Sequence, residues 1–257
     1  MVQKDSYPHG SFNWVDVCTT DTEVAKSFYS ELFGLDFQDD SADEDNIYTI
    51  GYKNGLPVLG MMTKTPDMTA GGMPDCWETY ISVDDIEKTV AAIPEAGGRL
   101  LGPVMNAASG AGRLAVIADP NGAVAILWQP IGSHGACLIK EHGTLSWNEL
   151  VVNDVDAAMD FYCALLGWST EPLDDDGLIG IRCGDSGEII GSATLAPPGV
   201  PSHWSVYFAV NDCDATVQHV LRLGGQVIVP ASTQRSGRTA QVADNQGAMF
   251  WITTCES

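Results

Sequence analysis

The feature that most constrains the fold of this chain is an internal duplication. Three segments of the first part recur in the second part in the same order, which indicates a tandem repeat of one structural unit. The chain is therefore predicted to fold as two similar halves. The matching segments are NWVDVCTTDTEVAKSFY at 13–29 and SWNELVVNDVDAAMDFY at 146–162, WETYISVDD at 77–85 and WSVYFAVND at 204–212, and GRLAVIADPNGA at 112–123 and GRTAQVADNQGA at 237–248.

Each half is predicted to divide again into two modules. A β-type run, an aspartate, a short amphipathic helix and a glycine follow one another four times, and the aspartates suit helix N-caps. Turn signals, such as the Asn-Gly pair at 54–55, separate the remaining strands. The pattern predicts an α+β fold of four βαβββ modules, at about residues 11–65, 76–130, 143–196 and 203–255.

The predicted domains are residues 1–130 and 143–257, and a linker at 131–142 joins them. Two Pro/Gly-rich stretches, TPDMTAGGMPD at 65–75 and APPGVPS at 196–202, are predicted to connect the modules within each half. The alternative interpretation is that these two stretches are lids over an active site.

The charge of the chain excludes several classes of partner. It carries 34 acidic and 12 basic residues, with a formal net charge of -22. Nucleic acids and anionic membrane surfaces are bound mainly through Lys and Arg, so neither is an expected partner. Because 45% of the residues are hydrophobic, the chain can nevertheless bury a sizeable core.

The cysteines and the hydropathy pattern indicate a cytoplasmic protein. The seven cysteines are scattered and include no CxxC pair, which argues against a disulfide framework or a structural zinc site. No apolar run reaches the ~18 residues of a membrane span, and the polar N-terminus lacks a signal-peptide pattern.

The repeated motifs resemble one known superfamily. Paired βαβββ modules, a strand–Asp–helix–FYxxLFG opening and a closing ADPxGA turn are similar to the glyoxalase/bleomycin-resistance/extradiol-dioxygenase superfamily, the vicinal oxygen chelate fold. The segments NWVDVCTTD, TYISVDD and SWNEL narrow the resemblance to tandem-domain actinobacterial members, among them a mycobacterial antigen of about this size and hydroxylase-labelled proteins of antibiotic gene clusters. The resemblance implies two concave half-barrel sheets with helices outside. It does not fix the function, because one fold hosts many.

The resemblance also implies where a metal would be held. Metalloenzymes of this type take ligands from the first strand of each module, seven residues before the helix-capping Asp, and from a Glu in the last strand. Only one carboxylate stands at these places, so we expect no metal site and no cofactor. The residues found are Trp14, Glu78, Trp147 and Ser205 in the first strands, and Ile126 and Trp251 in two closing strands.

Strand alternation assigns side chains to the first concave face. If Trp14 points inward, then Asp16 and Cys18 do so too, and Glu78 and Tyr80 follow by the same parity. A carboxylate on a mostly apolar face is paired, or its pKa rises, and an acid with a raised pKa beside a tyrosine suits acid–base catalysis.

The second half repeats this arrangement with Trp147, Glu149, Ser205 and Tyr207. Tryptophan faces suit the stacking of a flat, apolar ligand. The closing strands add Trp128 and Trp251 to the predicted ligand-binding set. Arg113 and Arg238 follow Gly at matching strand starts and are predicted to lie near the cavity rims.

Three functions remain open from the sequence. The first is a metal-independent enzyme that performs acid–base tailoring of the lyase, isomerase or hydroxylase type on an aromatic or polyketide-like metabolite. The second is a non-catalytic protein that sequesters a small ligand, and the third is a metal-dependent glyoxalase or dioxygenase with ligands at other positions. A simpler interpretation also stands, in which the tryptophans fill the core and Asp16 and Glu149 pair with Arg113 and Arg238. The expected oligomeric state is a monomer or a homodimer. In the first hypothesis the catalytic residues are Asp16, Glu78, Glu149, Tyr80 and Tyr207.

Overall fold

A computed structural model of the chain describes residues 2–41, 47–107, 110–175, 177–184, 187–234 and 237–254. Within these residues two large curved sheets form, one from each half. The first sheet runs in the order β3-β4-β5-β2-β6-β10-β9-β7, and β8 also pairs with β9. Its strands are β2 Phe12–Thr19, β3 Asp36–Ser41, β4 Ile47–Lys53, β5 Leu56–Thr63, β6 Cys76–Ser82, β7 Arg99–Leu100, β8 Met105–Asn106, β9 Gly112–Ala118 and β10 Val124–Pro130.

The second sheet has the same topology, in the order β13-β14-β15-β12-β16-β19-β18-β17. In both sheets the first strands of the two modules pair antiparallel at the centre, and each is flanked by a parallel partner from its own module. The predicted four βαβββ modules are therefore confirmed. The strands are β12 Leu145–Val152, β13 Trp168–Pro172, β14 Ile179–Cys183, β15 Ile189–Leu195, β16 His203–Val210, β17 Gln226–Gln234, β18 Gly237–Ala243 and β19 Met249–Thr254.

Four of the five helices among the described residues begin at the predicted aspartates, and α2 begins after Thr65 instead. Each capping side chain accepts hydrogen bonds from backbone amides of its helix's first turn, as in Asp21, which accepts from the amides of Glu23 and Val24. Gly34 and Gly167 end α1 and α4 in the left-handed region, each at φ 66°, where a side chain would be strained. The helices are α1 Thr22–Phe33, α2 Pro66–Ala70, α3 Ile86–Ala92, α4 Val155–Leu166 and α5 Cys213–Arg222.

The two sheets pack with their convex faces together, so their concave faces point in opposite directions. Aromatic rings make the central contact: Trp77 of β6 lies 4.7 Å from Phe208 of β16, and Phe12 lies 5.1 Å from Trp204. Helices α1 and α5 fill one side of this interface, and α3 and α4 fill the other. Each hydrophobic core is thus shared between a module of one half and a module of the other.

The segment between the halves, residues 131–144, crosses back over the first half. Its short strand β11, Leu138–Ile139, pairs with β1, Val2–Gln3, near the N-terminus. The amide of Ala136 donates to the carbonyl of Asn13 at the start of β2. Among the described residues, no helix has the length and apolar character needed to cross a membrane.

A buried tyrosine–aspartate bond links the halves on one side only. The Tyr29 hydroxyl of α1 donates to Asp244 Oδ2 at 2.9 Å, and it accepts from the indole of Trp77. Asp244 also accepts three amides of its own turn through Oδ1. In the matching place Tyr162 accepts from Trp204, but Asp119 Oδ2 has no hydrogen-bond partner among the described residues.

This asymmetry predicts unequal costs for two matched substitutions. Tyr29→Phe and Tyr162→Phe both leave an indole N–H unpaired, but only Tyr29→Phe also removes a bond to a buried carboxyl. We expect Tyr29→Phe to lower the free energy of unfolding by about 1–3 kcal/mol more than Tyr162→Phe, as measured by denaturant titration. Equal losses would show that the Tyr29–Asp244 bond does not stabilise the interface.

Candidate functional site

The floor of the first concave face carries the acids that the sequence placed there. Asp16 of β2 lies directly across from Glu78 of β6, and Trp14 lies across from Tyr80. Because alternate residues of a strand share a face, Cys18 follows on the same side. The structure therefore brings these predicted residues of the first half together.

Asp16 is held by a chain of hydrogen bonds. The Tyr80 hydroxyl donates to Asp16 Oδ2 at 2.6 Å, and the Tyr48 hydroxyl of β4 donates to the same oxygen at 3.1 Å. The indole N–H of Trp14 donates to the Tyr48 hydroxyl at 2.7 Å. Sequence reasoning missed Tyr48, because its role depends on how β4 pairs with β5. The segment NIYTIGY is recognisable as a strand, but the sequence does not show which residue Tyr48 reaches.

Burial shifts the pKa values of both carboxyl groups of the Asp16–Glu78 pair. Burial, followed by the neighbouring Asp16 carboxylate, raises the pKa of Glu78 well above its ordinary value. Burial also raises the pKa of Asp16, while its tyrosine donors oppose the rise. Asp16 is fully buried, and its Oδ1 atom accepts no hydrogen bond from a hydroxyl or an N–H of the described residues, which leaves the opposed carboxyl of Glu78 as its partner. Two opposed carboxyl groups with little access to water favour a state with one proton, held on Glu78.

The second concave face repeats the same chain of hydrogen bonds with different residues. The Tyr207 hydroxyl donates to Glu149 Oε1 at 3.1 Å, and the Ser192 hydroxyl of β15 donates to Glu149 Oε2 at 2.9 Å. The indole N–H of Trp147 donates to the Ser192 hydroxyl at 2.9 Å. Sequence reasoning missed Ser192 for the same reason that it missed Tyr48.

Gly60 explains why the halves use different hydroxyls. Gly60 lies across from Asp16 as Ser192 lies across from Glu149. A Cβ atom at Gly60 would lie only 1.9 Å from the Tyr48 hydroxyl oxygen, so a side chain there and Tyr48 exclude one another. Gly180 is the second-half counterpart of Ile50, so Leu178 stands at the place of Tyr48. Leucine has no hydroxyl, and the short side chain of Ser192 supplies it instead.

The first face is covered. Ala136 of the connecting segment is fully buried and packs against Trp14, Tyr80 and Ile126. At the other end of β2, Met68 of α2 lies 4.0 Å from the sulfur of the buried Cys18.

The stretch that carries α2 is anchored at its end. Asp75 pairs with the buried Lys64 and accepts hydrogen bonds from Thr19 and Thr20, so the stretch at 65–75 both connects the modules and covers the first face. Despite its burial, the pKa of Asp75 is lowered by Lys64 and these donors.

The second face is more open. The side chains of Trp147, Glu149, Tyr207 and Trp251 are all partly exposed. Tyr207 and Trp251 stack in parallel, with ring centroids 5.3 Å apart and 7° between their planes. They present flat aromatic surface beside the carboxyl of Glu149.

Burial also perturbs the second acid. It raises the pKa of Glu149, although the Ser192 and Tyr207 hydroxyls and the nearby His203 oppose the rise. Ser205 occupies the place that Glu78 has in the first half, and its hydroxyl lies 3.1 Å from His203 Nε2. The second face therefore has a single carboxyl in place of a pair.

Two predicted site residues lie elsewhere. Arg113 pairs with Glu87 of α3, and Arg238 pairs with Asp214 of α5, on the outer helical side of each sheet. The prediction that these arginines border the cavities is wrong, and so is the alternative that they pair with Asp16 and Glu149. The physical reason is register: Leu114 lies opposite Trp128 on the concave face, so Arg113 points to the other side.

Trp128 does reach the first face. Its ring lies 6.1 Å from that of Tyr80, and its indole N–H donates to the Ser133 carbonyl.

The residues at the implied metal positions do not suit a metal ion. Three His, Cys, Asp or Glu side chains at minimum would be needed, and no such group converges within the described ranges. Trp14 and Ile126 line the first face, and Trp147 and Trp251 line the second, where oxygen or nitrogen ligands would be required. We therefore derive no step through a metal.

The Gly60–Tyr48 relation predicts a coupled pair of substitutions. Gly60→Ser alone should destabilise the fold by about 1–3 kcal/mol through overpacking. Tyr48→Leu alone should cost about 1–3 kcal/mol, because the indole of Trp14 and the carboxyl of Asp16 lose their partner. The double variant reproduces the hydrogen-bond chain of the second half. Its cost should be at least about 1 kcal/mol less than the sum of the two single costs, measured by denaturant titration in a double-mutant cycle. Additive costs would contradict the proposed equivalence of Tyr48 and Ser192.

The proton on Glu78 predicts how stability depends on pH. Because the pKa of Glu78 is raised in the folded state, the folded protein keeps a proton that the unfolded chain releases at about pH 4.3. Stability is therefore highest below that pH and falls as the pH rises through the folded-state pKa of Glu78. Glu78→Gln removes this term, and its Tm should fall less than that of the wild type between pH 5 and pH 8. Glu87→Gln, on the outer face, should keep the wild-type dependence. Parallel curves for Glu78→Gln and wild type would refute the raised pKa.

Comparison with known proteins places the whole chain in one family. The family model described as Glyoxalase/Bleomycin resistance protein/Dioxygenase superfamily matches residues 11–126 and 144–252. The fold is similar to that of the Mn(II)-bound glyoxalase from Novosphingobium aromaticivorans, with a TM-score of 0.68 and 14% identity over 96% of this chain and 82% of that one. At this identity the likeness concerns the fold alone.

Closer sequence relatives come from actinobacteria. The CFP32 protein of Mycobacterium tuberculosis, which carries a provisional glyoxylase name, is 39% identical over 98% of this chain and 97% of its own. The anthracycline biosynthesis protein DnrV of Streptomyces peucetius is 34% identical over 95% of this chain and 92% of its own. With both halves matched by the family model and these relatives covering nearly its full length, the chain belongs to the glyoxalase/bleomycin resistance protein/dioxygenase superfamily.

Proposed function

We propose that this protein is a metal-independent enzyme that moves protons on a flat, aromatic, polyketide-like metabolite at the second concave face. The observation that carries the proposal is the position of Glu149, a carboxyl with a raised pKa, held between two hydroxyls and beside the stacked Tyr207 and Trp251. A raised pKa makes this glutamate easier to protonate than an ordinary one, which suits it both to take and to give a proton.

The roles of the side chains follow from their chemistry. Glu149 takes a proton from the substrate as a carboxylate and returns it to a neighbouring atom as an acid. Burial raises the pKa of Tyr207, so its hydroxyl stays protonated. Its single proton is donated to Glu149 in the free protein, and once Glu149 has taken the substrate's proton the hydroxyl turns to donate to an oxygen of the substrate. Abstraction and return of a proton is the step shared by isomerases and lyases.

The class of substrate rests on the aromatic surface and on the relatives. Tyr207 and Trp251 form a flat platform, and Trp147 stands on the same face. DnrV and a Streptomyces sp. protein, DauV, 32% identical to this chain, are both named for anthracycline biosynthesis. Anthracyclines contain a planar fused-ring system, which suits an aromatic platform.

The first face is the second choice for the site. Asp16, Glu78 and Tyr80 offer similar groups, but Asp16 is fully buried beneath the connecting segment. Only Glu78 of the pair is partly exposed. We therefore assign proton transfer to Glu149 and a mainly structural role to Asp16.

Sequestration without chemistry is the alternative function, and one observation favours it. Both oxygens of Glu149 already accept hydrogen bonds, from Ser192 and Tyr207, so the carboxyl is well satisfied without a substrate. In that case the aromatic platform alone would bind the ligand.

Glu149→Gln tests the proposal. Fused-ring polyketide aglycones are incubated with metal-free protein, binding is followed by tryptophan fluorescence, and products are identified by mass spectrometry. We expect Glu149→Gln to lower turnover by about 100-fold or more with little change in binding, because general acid–base groups contribute roughly that factor. Glu87→Gln should behave as the wild type.

Three other outcomes would count against the assignment. Loss of turnover in Asp16→Asn but not in Glu149→Gln would move the site to the first face. Tight binding by the wild type with an unchanged ligand would establish sequestration. Turnover that is lost on chelation and restored by a divalent ion would contradict the metal-independent mechanism.

A further inference from the structure

A partly open cavity lies where the two halves meet. It has a volume of about 130 Å³ and is bordered by the N-terminal segment, the connecting segment and the beginning of β12. Three aromatic residues line it: Tyr7, Phe12 and Trp147. Its volume is close to the roughly 150 Å³ of an apolar cavity that holds benzene, so a ligand of one aromatic ring matches it in size, while its polar lining residues leave room for a polar group on that ring.

Two lysines distinguish this cavity from the rest of the surface. Lys4 and Lys140 both line it, in a chain with only 12 basic residues and a net charge of -22. Within the described residues neither lysine forms an ion pair, whereas Lys26, Arg113 and Arg238 are paired with acids. Glu188 also borders the cavity and is engaged in an interaction of its own.

The backbone holds Lys140 in a costly conformation. Its φ is 56°, in the left-handed region that non-glycine residues rarely adopt, and its amide donates to the Leu145 carbonyl at 2.9 Å. Tyr7 is fixed as well, since its hydroxyl donates to the Ala136 carbonyl at 2.7 Å. The walls of the cavity are therefore set by bonds outside it.

We propose that this cavity binds a single-ring aromatic carboxylate. The ring lies against the aromatic side chains, and the carboxylate faces Lys4 and Lys140. A neutral ring of the same shape lacks the charge that the two lysines favour, and an aliphatic anion lacks the ring that fills the space.

Trp147 connects this cavity to the second concave face. Its ring lines the cavity, while its indole N–H donates to Ser192, which donates to Glu149. A ligand in the cavity would therefore contact Trp147, and we expect its binding to change the tryptophan fluorescence. The proposal does not depend on catalysis by Glu149, and a Glu149→Gln variant should bind the aromatic acid as the wild type does.

The test is calorimetric titration of the full chain with benzoate, benzamide and acetate, up to about 10 mM. We expect one benzoate per chain, at least tenfold weaker binding of benzamide, and no binding of acetate. Lys4→Gln/Lys140→Gln should weaken benzoate binding at least tenfold and leave benzamide unchanged. Lys88→Gln, a lysine of α3 away from the cavity, is the matched control and should bind benzoate normally.

A second variant guards against a change in folding. Ile190→Phe places a larger side chain at the cavity wall and leaves both lysines in place. It should reduce benzoate binding, and its loss of stability should not exceed that of an ordinary overpacked side chain. Equal affinity for benzoate and benzamide, or an unchanged benzoate affinity in the double lysine variant, would overturn the proposal. Absence of benzoate binding by the wild type would overturn it too.

Discussion

A carboxylate on the floor of each concave sheet dictates the residues around it. A buried acid is costly unless donors replace the water it loses. Asp16 and Glu149 each receive two hydroxyls, and in both halves a tryptophan indole fixes one of them. The identities of these residues are therefore linked. In the first half Gly60 leaves room for Tyr48, and in the second half Ser192 stands at the place of Gly60 and supplies the hydroxyl itself.

Duplication preserved this chain of bonds while the two faces diverged. The convex faces share their cores, so each half packs against the other through this face. The concave faces are free of that constraint. One is covered by Ala136 and Met68 and keeps a pair of acids, and the other is open and keeps a single acid beside an aromatic platform. This divergence is why we place the chemistry on the second face.

Strand alternation and helix capping were enough to predict the modules and the inward acids, because both depend on neighbours in the sequence. Asp16, Glu78 and Tyr80 meet as their parity requires. Pairing between distant strands was beyond that reasoning, so Tyr48 and Ser192 were missed. Arg113 and Arg238 were assigned to the rims from their place after a glycine at the start of a strand, which does not say which face a side chain takes; the pairing of Leu114 with Trp128 decides it. The cover over the first face depends on a segment from the middle of the chain, whose path no local pattern gives.

A crystal structure with a fused-ring aromatic polyketide bound would show whether proton transfer takes place on the second face. We expect the ring system to lie against Trp251, with a ligand atom within about 2.6–3.2 Å of the Glu149 carboxyl and no metal between them. A ligand bound at Asp16 and Glu78, or one held through a coordinated metal ion, would contradict it.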